Sequence, residues 1–179
     1  MYKFISPRTV VCVLALAAGF AWPAAAETGI LKIDWELSKL QDKKRLPFAP
    51  VAVLKAFPGV RFTDRLRSVI TLNNTSAKKV EGLVIRYSLR LRLLKAGDAQ
   101  DKAFWGVPFY VEEVRVAAVG AMSTRSARVL NFGISDQLNK LRNSGFVPVA
   151  LKLEAMLCPR QGDTPSEIMK ESVIEIQKP

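Results

Sequence analysis

Residues 80–94 read VEGLVIRYSLRLRLL, and this stretch decides the fold. Leu83, Ile85, Tyr87, Leu89, Leu91 and Leu93 fall on one face of an extended chain. Val84, Arg86, Ser88, Arg90, Arg92 and Leu94 fall on the other. Alternation of this length specifies a half-buried antiparallel strand, one face on a core and one on water. A helix would scatter the arginines around its circumference. Upstream, residues 68–73 (SVITLN) have strand character and run into the turn-forming Asn73-Asn74-Thr75-Ser76. Those four residues also hold two overlapping N-x-[ST] sequons, and turn chemistry accounts for them without sugar. Downstream, Lys95-Ala96-Gly97-Asp98 turns the chain.

The pattern continues in both directions. Residues 29–37 (GILKIDWEL) set Leu31, Ile33 and Trp35 against Ile30, Lys32, Asp34 and Glu36, which reads as extended. Residues 43–64 carry Pro47, Pro50, Pro58 and the basic run Lys43-Lys44-Arg45. Proline cannot donate to a central ladder, so this is an irregular or edge segment. Residues 108–119 give one or two strands ending near Gly120, and residues 126–132 set Leu130 and Phe132 against Val129 and Asn131. In residues 146–158, Val147, Val149, Leu151, Leu153 and Leu157 oppose Ala150, Lys152, Glu154, Met156 and Cys158. Residues 159–165 read as a loop and residues 172–177 as a last strand. The exception is 135–143, where Ser135 as a cap, Leu138 and Leu141 at helical spacing, and Gly145 as a stop predict one short helix.

These elements predict an all-β domain: an immunoglobulin-like antiparallel β-sandwich of about seven strands with one short helix. A closed barrel is the alternative, which periodicity leaves open. A membrane barrel is ruled out by Arg86, Arg90 and Arg92, which occupy the face such a barrel would turn to lipid.

Residues 1–26 carry an address. Lys3 and Arg8 give a positive start without acid, residues 10–22 are an apolar run of 13 residues, and Pro23 precedes Ala24-Ala25-Ala26. That is the layout of a cleaved signal peptide, and the run is too short for comfortable membrane anchoring. The expectation is an exported protein, periplasmic or secreted, with residues 27–179 as a single domain and no transmembrane anchor. Cys12 sits inside the apolar run and is poorly placed for lipid modification. Once it leaves with the signal, Cys158 is a lone thiol, read here as a buried small hydrophobe.

Composition excludes much chemistry. The chain of 179 residues has no histidine and two cysteines. Histidine-dependent triads and zinc motifs, and four-cysteine sites, are therefore absent. No Gly-rich phosphate loop occurs, so no metal and no cofactor is expected. Glu112-Glu113 is the only adjacent acidic pair, and strand neighbours point to opposite faces. Cys158 has at most a cation such as Arg160 to activate it. The reading is of a non-enzyme.

A family resemblance adds to this. SVITLNNTSAKKVEGLVIRYSL (68–89) and AVGAMSTRSARVLNF (118–132) resemble extracytoplasmic immunoglobulin-like modules of the FxLYD and CARDB types. Those share a strand, an Asn-rich turn with Ser or Thr, and a strand alternating through a Val/Ile–x–Tyr/Leu core. The likeness spans residues 68–133, and the FxLYD signature itself is absent. The opening strand also resembles the SVxLxN segment of pilus chaperones, which carry a second domain this chain is too short to hold. The resemblance implies fold and location rather than a ligand.

Charge points to binding. Residues 27–100 hold 15 basic and 7 acidic side chains, whereas residues 101–179 hold 10 and 9. The excess concentrates around the basic run and the strand bearing Arg86, Arg90 and Arg92. In an extended strand Arg90 and Arg92 lie roughly 7 Å apart, and Arg86 about 20 Å from Arg92. Either acidic residues on adjacent strands offset this ladder, or it is a ligand-binding face. The expected function is binding of an envelope or secreted protein partner, with an anionic glycan or lipid surface as the alternative. Export argues against nucleic acid.

Overall fold

The computed structural model describes residues 28–55, 64–130, 134–141 and 144–177. Residues 1–26, expected to be a signal peptide, with Cys12, and Pro58, Asn131, Phe132 and Asn143 lie outside them. The chain forms β1 (Thr28–Ser38), β2 (Leu40–Gln41), β3 (Lys44–Arg45), β4 (Ala49–Pro50), β5 (Val53–Lys55), β6 (Arg65–Asn74) and β7 (Val80–Lys95). After a single 3-10 turn at Gln100–Lys102 come β8 (Phe104–Trp105), β9 (Tyr110–Val119), β10 (Ser123–Leu130) and α1 (Ile134–Leu141). β11 (Phe146–Leu157), the single-turn α2 (Pro165–Ile168) and β12 (Met169–Gln177) complete it.

Two open sheets pack face to face. One has the order β10-β6-β1-β4. The other runs β5-β12-β11-β7, and the long β7 pairs β9 along its first half and β8 along its second. Every pairing is antiparallel except β5 on β12. Neither sheet closes on itself, so the architecture is the sandwich and not the barrel. Ile70, Leu72 and Val129 from one sheet meet Ile85, Tyr87, Leu89, Leu151, Leu153, Leu157 and Ile174 from the other. Each aliphatic side chain sealed this way contributes about 1.5–3 kcal/mol. Trp35 fills the β1 side of the core, and its Nε1 donates across the layers to Ser172 Oγ at 2.9 Å.

The alternation read from 80–94 holds on β7, where residues 83, 85, 87, 89 and 91 are buried. It fails where bulges interrupt the ladder. The register slips between Ile30 and Lys32, so Ile30 turns inward and Leu31 is expelled to 49% exposure. A second slip between Pro148 and Ala150 makes Val147 the partner of Leu94, on the outer face rather than with Leu151. One inserted residue reverses the facing of everything beyond it. On β10 the buried residues are Ala127 and Val129, so Val129 faces the core. The expected helix is present as Ile134–Leu141, placing Ser135 inside it rather than at its cap. β8 answers to no pattern read from the sequence, and α2 begins at Pro165, the last residue of the 159–165 loop.

The Asn-rich turn is the corner where the chain passes between the sheets. Asn74 is fully buried. Its Nδ2 donates to Lys78 O at 2.8 Å, in the β6–β7 crossover, and to Gly120 O at 2.7 Å, in the β9–β10 crossover. Its Oδ1 accepts from Ser76 N and Ser76 Oγ. Met122 N closes the corner on Ser76 O. One side chain therefore ties both crossovers together, and the turn chemistry of this sequon is fully occupied.

Candidate functional site

Strand geometry places Arg86, Ser88 and Arg90 of β7 on the outer face of the six-stranded sheet. Val111 and Glu113 of β9 lie on one flank, opposite Ser88 and Arg86. Lys152, Glu154 and Met156 of β11 lie on the other, and beyond them Met169 and Glu171 of β12. The strands leave an open groove of about 430 Å³ over this face. Its walls are mixed: Arg86, Arg90, Glu154 and Glu171 are charged, while Val111, Met156 and Met169 are apolar. Val111 is 62% exposed and Met169 53%. Large apolar side chains this open to water on a regular sheet are the informative feature of the surface.

The arginine ladder is largely neutralised by its neighbours. Arg86 donates from Nε and Nη2 to Glu113 Oε1, which favours its protonated form further. Arg90 Nε lies 2.7 Å from Glu154 Oε2. That N–H makes no aligned hydrogen bond, so the contact is an ion pair only. Lys152 joins from the same face, 2.9 Å from Glu154 and 3.2 Å from Glu171. Its hydrogen bond to Glu154 holds its ammonium above the usual lysine range against the opposing effect of burial. Burial alone would push Glu154 up, yet Lys152, Arg90 and Ser88 together outweigh it and hold the carboxyl below its ordinary value. Arg92 differs. It lies opposite Ala150 and Trp105, and makes no ion pair among the described residues.

Glu112 and Glu113 part company as strand geometry requires. Glu113 serves Arg86 on the outer face, whereas Glu112 turns toward the layer interface. There it accepts from the phenols of Tyr87 and Tyr110. Those two bonds, Tyr87's first, lower the Glu112 carboxyl. Burial raises the Tyr87 phenol strongly, and Glu112 adds to it. Cys158 is free and half-buried just past the end of β11, its N–H bound to Val84 O. Among the described residues no three His, Cys, Asp or Glu side chains gather to hold a metal ion. No helix among them is long and apolar enough to cross a membrane.

The structure thus brings Arg86 and Arg90 into one groove and leaves Arg92 beyond its end. Sequence reading missed Val111, Met156 and Met169 as part of the same surface. Met156 was visible as an apolar residue on the polar side of its strand. Val111 and Met169 join it only through the pairing of β9 and β12.

No family model and no curated protein matches the chain. Solved structures with distant likeness include a crustacean hemolymph-type prophenoloxidase, at 11% identity and TM-score 0.42, covering 86% of this chain and 34% of that one. The sporulation control protein Spo0M from Bacillus subtilis is matched at 12% identity and TM-score 0.35, over 84% and 49%. The C-terminal globular domain of an oligosaccharyltransferase from Pyrococcus abyssi follows at 10% identity and TM-score 0.18, over 81% and 40%. The chain spans under half the length of each. These are remote β-rich likenesses, and they carry nothing about ligand or activity.

Proposed function

We propose that this chain is an exported, non-enzymatic envelope module of the extracytoplasmic immunoglobulin-like kind. In this reading it binds a protein partner on the outer face of its six-stranded sheet. The observation that carries it is the composition of the groove. Arg86 and Arg90 are each matched by a glutamate, so the surface is no bare cationic track, and Val111, Met156 and Met169 offer apolar area between the charges. Apolar side chains interleaved with charge suit protein partners, with Met able to repack around different side chains. Arg86 and Arg90, on β7 between the two apolar flanks, then steer and orient the partner.

A second reading rests on Arg92 and the basic first half of the chain. Arg86, Arg90 and Arg92 would together follow an anionic glycan or a lipid headgroup surface. The two separate by salt. A photo-cross-linking residue in place of Met169 is expected to capture a protein from the envelope, and the yield of capture should hold when irradiation is carried out at rising salt. The same residue at exposed Ala52 should not capture it. Loss of all capture, together with binding to anionic vesicles that collapses between about 50 and 200 mM salt, would establish the second reading instead.

A further inference from the structure

We propose that the free edge of β9 pairs with β9 of a second copy, antiparallel about a two-fold axis at Val114. The six-stranded sheets of two molecules then join into one. This goes beyond the groove reading and does not depend on it.

Backbone direction defines what the edge offers. Leu89 O and Leu91 O accept from Phe109 N and Gly106 N on the β8–β9 side, while Val84 O accepts from Cys158 N on the β11 side. Odd-numbered β7 residues therefore address β9, and even-numbered ones address β11. Their β9 partners Tyr110, Glu112, Val114 and Val116 turn N–H and C=O toward β7. Val111, Glu113 and Arg115 turn theirs outward, where β9 has no strand partner among the described residues. Beyond Val116 the alternation slips, since Gly82 sits at φ +67 and Val116 and Val119 are both buried. There Arg125 Nη1 caps Ala118 O at 2.7 Å and closes the far end. What remains open is 111–115.

The side chains along this edge select one register. With the axis at Val114, Glu113 faces Arg115 of the second copy and Arg115 faces its Glu113. Both pairs lie on the outer face with their backbones pointing at each other, so each exchanges two hydrogen bonds. Moving the axis by one residue sets Glu113 against Glu113 or Arg115 against Arg115. The charges are also available. Arg86 occupies Glu113 Oε1 and leaves Oε2, and exposed Arg115 makes no ion pair among the described residues.

The other edges are built differently. β4 is two residues ending in Pro50, and β5 is three residues. β10 carries Arg125 and Arg128 with no acid, so two copies of it would repel. Short, proline-bearing or like-charged edges resist strand addition. Among the described strands β9 alone combines length with self-complementary charge, as a two-fold interface requires.

Two variants test this. In Arg115→Glu every copy presents only glutamates at these positions, and in Glu113→Lys only cations. Sedimentation equilibrium of the purified protein should give twice the monomer mass for the native chain. Each variant should dimerise at least about tenfold more weakly, since both symmetric pairs become repulsive. Mixing the two should restore a heterodimer, because each edge now complements the other. Arg115→Lys should keep the dimer, and near-UV circular dichroism should confirm that every variant is folded. If Glu113→Lys does not fold, the contrast of Arg115→Glu with Arg115→Lys decides alone. A monomeric native chain, a dimer that survives Arg115→Glu, or folded variants that ignore each other on mixing would overturn the proposal.

Discussion

Two polar clusters in this molecule use similar chemistry to opposite ends. At the sheet corner Asn74 is fully buried and every hydrogen-bonding group of its side chain is engaged. On the outer face the Arg86–Glu113 pair and the Arg90–Glu154–Lys152–Glu171 cluster are ion pairs that water reaches, except at largely covered Lys152. A buried polar group left without its partner carries the full desolvation penalty, while an exposed one returns to water. The corner is therefore committed to holding the sheets together. The outer face is free to exchange its contacts for those of a ligand.

The sharpest way to break this contrast is at the corner. Asn74→Ala leaves the carbonyls of Lys78 and Gly120 with only the Ser76 and Ser123 hydroxyls, takes the acceptor from Ser76 N and loosens both crossovers, for an expected loss of about 2–4 kcal/mol. Urea denaturation measures it. A loss below about 1 kcal/mol would mean that water replaces the amide and that the corner is no more committed than the outer face.

How far each region was legible in the sequence follows the same line. The alternation of 83–91 needs only the pleat, so the core face of β7 could be read directly. Leu31 and Val147 could not be placed, because each depends on a bulge whose position is set by the partner strand. Asn74 was legible as a turn residue. Its bond to Gly120 O spans 46 positions and belongs to the tertiary fold. For the outer face, acidic partners on adjacent strands were one of two stated options for the ladder. Pairing supplied Glu113 and Glu154, and it brought Val111 and Met169 alongside.

A smaller effect is expected at Glu112, which lies between the two extremes. Its carboxyl is held low in the folded state by Tyr87 and Tyr110. That stabilisation is present above the unfolded carboxylate value of 4.5 and is lost as pH falls through the lower folded value. For Tyr87 the folded phenol is raised, so its contribution is complete below 10 and fades as pH climbs above that. Tyr87→Phe should cost about 1 kcal/mol at neutral pH and flatten the stability profile on both sides. The Glu112 resonance should titrate closer to its ordinary value. An unchanged Glu112 titration would show that the phenol is not what holds the carboxylate.

The smallest effect on folding, and the most informative about binding, is expected of Arg86→Gln/Arg90→Gln/Arg92→Gln. Glutamine keeps much of each stem over the sheet and removes the charge. Half-exposed ion pairs contribute little to stability, and Arg92 has none to lose among the described residues, so the thermal midpoint should move by a few degrees at most. The sign is not set by Coulomb attraction alone. Among the described residues Glu113 loses the cation it pairs with, whereas Glu154 keeps Lys152. Local acidity thus rises most beside β9. For a partner seated on Val111, Met156 and Met169, removal of the charge between them should slow association and weaken capture several-fold without abolishing it. For a polyanion the same change should eliminate binding, since the three arginines would be the contact itself. A drop in stability as large as that of Asn74→Ala would overturn the contrast between the regions, because the ladder would then be a structural clamp like the corner.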